Sequence, residues 1–352
     1  MLRDVRSSFL APRLIGLKYT TASNAVTIGE GVGSASITSA GTGQGVIAFR
    51  RAFARRPIVV ASPSSADIAA GGYVITGTNT YPAATGLTVT TANSSVSADD
   101  GTCYMLALGY DQRDGTRYSR RSNVVRGEVD QGKIVALRID TSKTTLATGI
   151  TINNRAGFIW TRNGTGDVTI TLRSAFAHTS FVAVGTAVSA TGQQVMTDVT
   201  ASNTVRVKVF TNGGTTPADG IVNLICYGDA QGPGERAVGN PLMNDQRRPQ
   251  LFGYSIIYTS GVPTYDFNSG DATLAATATG RVTFTHRQAY RREPIVVALP
   301  IFNIATQCCT IDNSSSTAFE VKNFSSGNAL ADCANGGGFQ LIGIGWDDPS
   351  EY

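Results

Sequence analysis

Thr42 to Val60 reads TGQGVIAFRRAFARRPIVV, and the same wording returns twice, as TGDVTITLRSAFAHTSFVAV at Thr165 to Val184 and TGRVTFTHRQAYRREPIVV at Thr279 to Val297. Each copy opens on a Thr-Gly turn and runs into an alternating strand. An Ala-aromatic pair follows (Ala52-Phe53, Ala175-Phe176, Ala289-Tyr290), then a second apolar strand. In the first copy Ile47 and Phe49 share one face while Val46, Ala48 and Arg50 take the other, the period of two that marks a strand. Pro57 fixes the start of Ile58-Val59-Val60, a short apolar run of the kind found in sandwich cores. Three copies imply three domains.

Working outward, the first unit opens with Leu14 to Leu17 and closes on Tyr104 to Tyr110. The second runs through Ile134 to Ile139, Val205 to Phe210 and Leu224 to Asp229. The third runs through Phe252 to Ile257, Phe319 to Phe324 and Leu341 to Asp347. Asp111, Asp229 and Asp347 fall at even intervals and read as turn residues closing each last strand. No long helical pattern interrupts any copy. The expected class is therefore all-β, with three tandem antiparallel β-sandwich domains of seven or eight strands and a short N-terminal arm. The expected division is 1–13 for a docking arm, 14–111 for the first sandwich, 112–132 for an Arg-rich linker, 133–229 for the second sandwich, 230–249 for a Gly/Pro/Arg linker and 250–352 for the third.

Composition agrees. A chain of 352 residues exceeds one comfortable core, and units near 110 residues each match the usual domain size. Charged residues are 15% of the total and there are 39 glycines, which argues for strands joined by turns. The formal charge of +4 is modest, so nucleic acid is not the expected partner. The N-terminus lacks the apolar run of a secretory signal and no stretch approaches membrane-spanning length, so a soluble chain with no membrane partner is expected. The basic residues are mostly Arg, whose planar fork suits carboxylate contacts between proteins. Arg3, Arg6 and Arg13 of the arm and Arg117, Arg120, Arg121, Arg247 and Arg248 of the linkers are the candidate docking residues.

Chemistry is sparse. His178 and His286 are the two histidines, and His286 occupies the position of Phe49 and Leu172, which reads as a packed residue. Neither sits at ligand spacing from another, so no metal site is expected. No GxSxG elbow precedes a helix, so no triad is expected. Gly29-Glu30-Gly31-Val32-Gly33 resembles a phosphate cradle but is followed by strand wording, so no nucleotide or other cofactor is expected. Cys226 aligns with Leu108 and Ile344 as a core residue. Cys333 either bridges to Cys308 or Cys309 or all stay reduced, and reduced thiols are expected. Asn93, Asn163, Asn313 and Asn323 head glycan-acceptor tripeptides that carry little meaning without a secretory signal. Tyr110 and Trp346, beside the closing Asp, are the candidate glycan-contact aromatics.

The order TG…V.F…AF…P.VV, a strand such as VRVKVF and a terminal LALGYD or IGIGWD resembles the β-sandwich modules of tailed-bacteriophage virion proteins, and is distantly similar to H-type lectin domains. In the first unit Thr42-Gly43, Ala52-Phe53, Pro57 to Val60 and Leu108 to Asp111 carry the resemblance. The second departs from it with Ser180 in place of Pro57 and Pro294. The resemblance implies a non-enzymatic structural component of a virion, a decoration or accessory protein attached to capsid or tail subunits and assembled in the host cytoplasm, with a homo-oligomer on the particle as one arrangement. It also implies an alternative, a tail-associated adhesin whose lectin-like modules bind host surface glycans. Three similar sandwiches on one chain can mimic a trimer around a threefold axis.

Overall fold

The computed structural model describes residues 12–22, 25–30, 35–53, 56–64, 73–76, 83, 85–92, 100–110, 132–152, 158–172, 175–176, 181–189, 191–212, 216–229, 249–268, 272–287, 289–290, 293–301, 308–325, 329–333 and 338–346. The chain is all-β. Its one described helix is the four-residue turn α1 (Leu146–Gly149).

The first third supplies β1 (Pro12–Ala22), β2 (Ala25–Glu30), β3 (Ala35–Gly41), β4 (Gln44–Phe49), β5 (Ile58–Pro63), β6 (Tyr73–Thr76), β7 (Gly86–Ala92) and β8 (Thr102–Tyr110). The middle third supplies β9 (Gly132–Asp140), β10 (Ile150–Ile152), β11 (Ile159–Gly164), β12 (Asp167–Thr171), β13 (Val182–Val188), β14 (Gln193–Ala201), β15 (Thr204–Thr211) and β16 (Ile221–Asp229). The last third supplies β17 (Pro249–Thr259), β18 (Val262–Asn268), β19 (Ala272–Ala278), β20 (Arg281–His286), β21 (Ile295–Ile301), β22 (Cys308–Asp312), β23 (Ala318–Phe324) and β24 (Gly338–Trp346). Three strand starts fall earlier than the sequence suggests. Pro12 and Arg13, expected in the arm, already pair with Tyr110 and Gly109. Gly132 and Pro249, expected in linkers, open β9 and β17. Proline is tolerated at the first residue of a strand, where its missing N–H costs no ladder bond.

Each third makes an inner sheet and an outer sheet, but the sheets do not stop at the thirds. The strand orders are β2-β1-β8-β5, β11-β12-β15-β14, β10-β9-β16-β13-β22-β23-β20-β19 and β18-β17-β24-β21-β6-β7-β4-β3. The inner sheet of the middle third continues through a parallel contact of β13 with β22 into the outer sheet of the last. The inner sheet of the last third continues through β21 and β6 into the outer sheet of the first. At the remaining seam, β5 against β14, side chains make the junction. The Ser64 hydroxyl donates to Asp198 Oδ1, and the Val199 N–H donates to the Tyr104 hydroxyl oxygen at 3.1 Å. The order of contact is cyclic, so the three inner sheets surround one axis.

That geometry explains the runs without alternation. On β16, Val222, Leu224 and Cys226 pack into the core of their own sandwich. Ile225 and Tyr227, on the opposite face, join Leu106, Leu108, Ile342, Ile344, Ile58, Val60, Val182, Val184, Ile295 and Val297 in a shared apolar cluster. A strand buried on both faces reads as a continuous hydrophobic stretch, as in parallel sheets covered on two sides. Each such side chain contributes about 1.5–3 kcal/mol on leaving water, so the axis is a core in its own right.

The aromatic of each Ala-aromatic pair has one job three times over. Phe53 sits on Gly109, Phe176 on Gly228 and Tyr290 on Gly345, so close that a Cβ would stand 2.4, 2.9 and 2.4 Å from the ring. These three glycines are therefore equivalent, which corrects the alignment of the middle third by one residue. Tyr227, not Cys226, matches Leu108 and Ile344, and Asp229 matches Tyr110 and Trp346. The extra residue lies after Phe176, where Phe181 stacks on it at 4.3 Å.

Candidate functional site

The Thr-Gly turns are built alike. Gly43, Gly166 and Gly280 adopt φ of 63, 63 and 65°, a left-handed conformation that favours glycine. Each donates its N–H to a carboxylate far along the chain, Asp100 at 2.8 Å, Asp219 at 2.7 Å and Asp332 at 2.6 Å. The turns are legible in the sequence, whereas these three acids are not.

Along the axis, one position of each last inner strand reaches into the next third. Register aligns Tyr104, Asn223 and Gln340 with one another, five residues before the equivalent glycines. Tyr104 reaches β14 as described. Asn223 donates from Nδ2 to the Val296 carbonyl at 2.9 Å, and Gln340 Oε1 accepts from the Val59 N–H at 2.8 Å. Arg138 stands beside Asn223, donating from Nε to its Oδ1 at 2.9 Å, and crosses to the last third to pair with Glu293 and to donate to Ser314 Oγ at 3.2 Å. Burial brings the Arg138 guanidinium down to about 10, still charged at neutral pH.

On the neighbouring inner strands β5, β13 and β21 lie two matching clamps. Gly185 N–H donates to Ser62 Oγ at 3.0 Å, and that hydroxyl donates to the Gly185 carbonyl at 3.3 Å. Ala298 N–H donates to Thr186 Oγ1 at 2.9 Å, and that hydroxyl donates to the Ala298 carbonyl at 3.1 Å. Beside them is a small cavity of about 50 Å³ lined by residues of all three thirds, among them Ala61, Thr186, Gln194, Leu299 and Cys308.

The residues singled out from sequence fall as follows. Arg3, Arg6, Arg117, Arg120, Arg121, Arg247, Arg248, His178, Asp111, Asp347 and Asn93 lie outside the described residues. Arg13 is in β1 opposite Gly109. Tyr110 and Trp346 end β8 and β24, opposite Pro12 and Pro249, and Asp229 ends β16 opposite Gly132. The middle third thus has no aromatic at the position shared by Tyr110 and Trp346. His286 is buried among Tyr290, Phe252 and Phe319, and burial holds its imidazole down at about 4, so it stays neutral. All five cysteines are buried and none is in a disulfide, and burial raises the Cys103 and Cys308 thiols to about 12. Among the described residues no three His, Cys, Asp or Glu side chains gather as metal ligands, and no helix is long and apolar enough to cross a membrane.

No protein family, curated protein or solved structure was found to match this chain.

Proposed function

We propose that the chain is a non-enzymatic structural component of a bacteriophage virion, a decoration or accessory protein held on the capsid or tail by protein–protein contacts. One observation supports the reading. Pro12 pairs with Tyr110, Gly132 with Asp229 and Pro249 with Trp346, at equivalent corners of the three inner sheets. Rotation about the axis relates these corners, so they lie at one end of it. Residues 1–11, 111–131, 230–248 and 347–352 all join the described chain there, and among them they carry seven of the eight candidate docking arginines. A chain whose Arg-bearing connections all join it at one end is suited to seating on a neighbour. Guanidinium forks at that end fit carboxylates of a capsid or tail subunit.

The adhesin reading draws on the same end through Tyr110 and Trp346. It is weakened by Asp229 at the matching place, since stacking on a sugar face requires an aromatic ring.

The test begins with particles carrying the chain. Replacing Arg117, Arg120, Arg121, Arg247 and Arg248 with Glu together should strip the protein from purified particles while its circular dichroism and melting temperature stay within the wild-type range. Full occupancy after that change would overturn docking through arginine. Binding of the purified chain to a glycan array, lost on changing Tyr110 and Trp346 to Ala, would favour the adhesin instead.

A further inference from the structure

The two hydroxyl clamps imply a third that the chain does not complete. Ile58, Val182 and Ile295 are equivalent by their pairing with Leu108, Tyr227 and Ile344. Four residues on stand Ser62, Thr186 and Leu299, and three residues on stand Ala61, Gly185 and Ala298. The cycle runs from Ser62 to Gly185, from Thr186 to Ala298, and from Leu299 to Ala61. At this last step the side chain has no hydroxyl.

Ala61 needs one. In an antiparallel pair, alternate residues point their N–H and C=O toward and away from the partner strand. Val59 points away from β8, because its N–H is taken by Gln340 Oε1. Ala61, two residues later, points the same way. Among the described residues no side chain bonds to its N–H or carbonyl, and it is only 6% exposed. A buried backbone pair left unanswered costs as much as a lost hydrogen bond. The cavity lies at this place, with Ala61 and Leu299 both in its wall. A second unmet group lines it too. Gln194 is 4% exposed, its Nε2 donates to Asn212 Oδ1, and its Oε1 has no partner among the described residues.

We propose that this cavity binds one small hydroxyl-bearing molecule, water or a short alcohol, which accepts from the Ala61 N–H and donates to the Ala61 carbonyl or to Gln194 Oε1. It stands in for the oxygen that Ser62 and Thr186 supply at the other two junctions. A volume of about 50 Å³ has room for it, since a water needs only about 10–15 Å³ of such space and two or more polar partners.

Amide hydrogen exchange followed by NMR tests this without any variant. In the wild-type chain the Ala61 amide should exchange about tenfold faster than those of Gly185 and Ala298, which protein hydroxyls hold. Leu299→Thr, and separately Leu299→Ser, should close the third clamp and slow Ala61 to the rate of the other two. An equally slow Ala61 amide in the wild type overturns the proposal, as does a fast one that both variants leave fast. Methanol titration separates the two sources of the hydroxyl. Slowing of Ala61 in the wild type but not in Leu299→Thr identifies an alcohol site, whereas no response together with a water cross-peak at the Ala61 amide identifies bound water.

Discussion

The axial face of the inner sheets and the outward face of the outer sheets treat the three thirds differently. At the axis, equivalent positions keep their character: Leu106, Ile225 and Ile342 in one layer, Leu108, Tyr227 and Ile344 in the next, all buried. On the outer sheets the cross-strand pairs are Gln44 with Thr90, Asp167 with Lys208 and Arg281 with Lys322. The same place is neutral in the first third, an opposite-charge pair in the middle one and a like-charge pair in the last. A side chain at the axis touches the other two thirds and must fit them. A side chain on the outer face needs only its own sheet to answer its charge. Asp167 does so by binding Arg206 and Asn163. Burial would raise its carboxyl, and those two bonds bring it below the ordinary value instead. In the last third, Arg281 opposite Lys322 would repel, and Asp312 and Glu320 gather round Lys322 to offset it.

If the axis ties the thirds together, damage inside one third must be felt by all. Phe53 is fully buried, meets Phe49 edge-on at 5.0 Å and covers Gly109. Phe53→Ala should cost about 4 kcal/mol, within the range for deleting a core aromatic. Because sheets cross from third to third, urea unfolding followed by fluorescence and by circular dichroism should remain a single transition with a lowered midpoint. A separate early step confined to the first third would break the comparison, for it would mean the axial contacts couple nothing.

Much of the frame was legible in the sequence because it is written in local terms. A Thr-Gly pair before an alternating stretch marks a turn with positive φ, and the Ala-aromatic pair marks a chain reversal. What sits across the axis was not legible. The run Ile58-Val59-Val60 looks the same whether its second face meets its own sandwich or a neighbour. Asp100, Asp219 and Asp332 escaped because the connections leading to them differ in length, so no fixed spacing marks them. The even spacing of Asp111, Asp229 and Asp347 misled by one residue, since Asp229 follows its closing glycine directly while Asp111 and Asp347 each stand one residue farther on. The proposed docking arginines were picked out by composition alone, and the structure adds only where their segments join the frame. The clamps of Ser62 and Thr186 were invisible, because a hydroxyl between two apolar residues carries no signal until its partner strand is known.

His286 sharpens the comparison inside one layer. Phe49 and Leu172 hold its place in the other thirds, whereas here a buried imidazole has an Nε2 with no partner among the described residues. Its folded value near 4 lies below the ordinary value of 6.5. The unfolded chain therefore takes up the proton first as pH falls. Stability is unaffected above about pH 6.5 and is lost progressively down to about pH 4, by as much as about 3 kcal/mol. His286→Phe should be at least as stable at neutral pH and should flatten that decline in urea titrations at pH 7, 5.5 and 4.5. An unchanged slope would show that another group governs the acid limb.

The smallest effects should come from the turn acids, and their ranking is informative. Asp100→Ala, Asp219→Ala and Asp332→Ala each remove the acceptor for a left-handed glycine N–H, and a bond from a charged acceptor in a half-exposed setting contributes about 1 kcal/mol. Asp219 also accepts two bonds from Arg162 Nη2, at 3.1 and 3.0 Å, so its replacement should cost the most by thermal melting. Substituting the turn glycine is a different matter. A Cβ on Gly166 would lie 2.3 Å from the Ala218 carbonyl oxygen at a φ that side chains rarely adopt, so Gly166→Ala should exceed Asp219→Ala. Were the order reversed, the carboxylate and not the glycine would be what holds the turn, and the shared Thr-Gly wording would have to be explained by something other than backbone conformation.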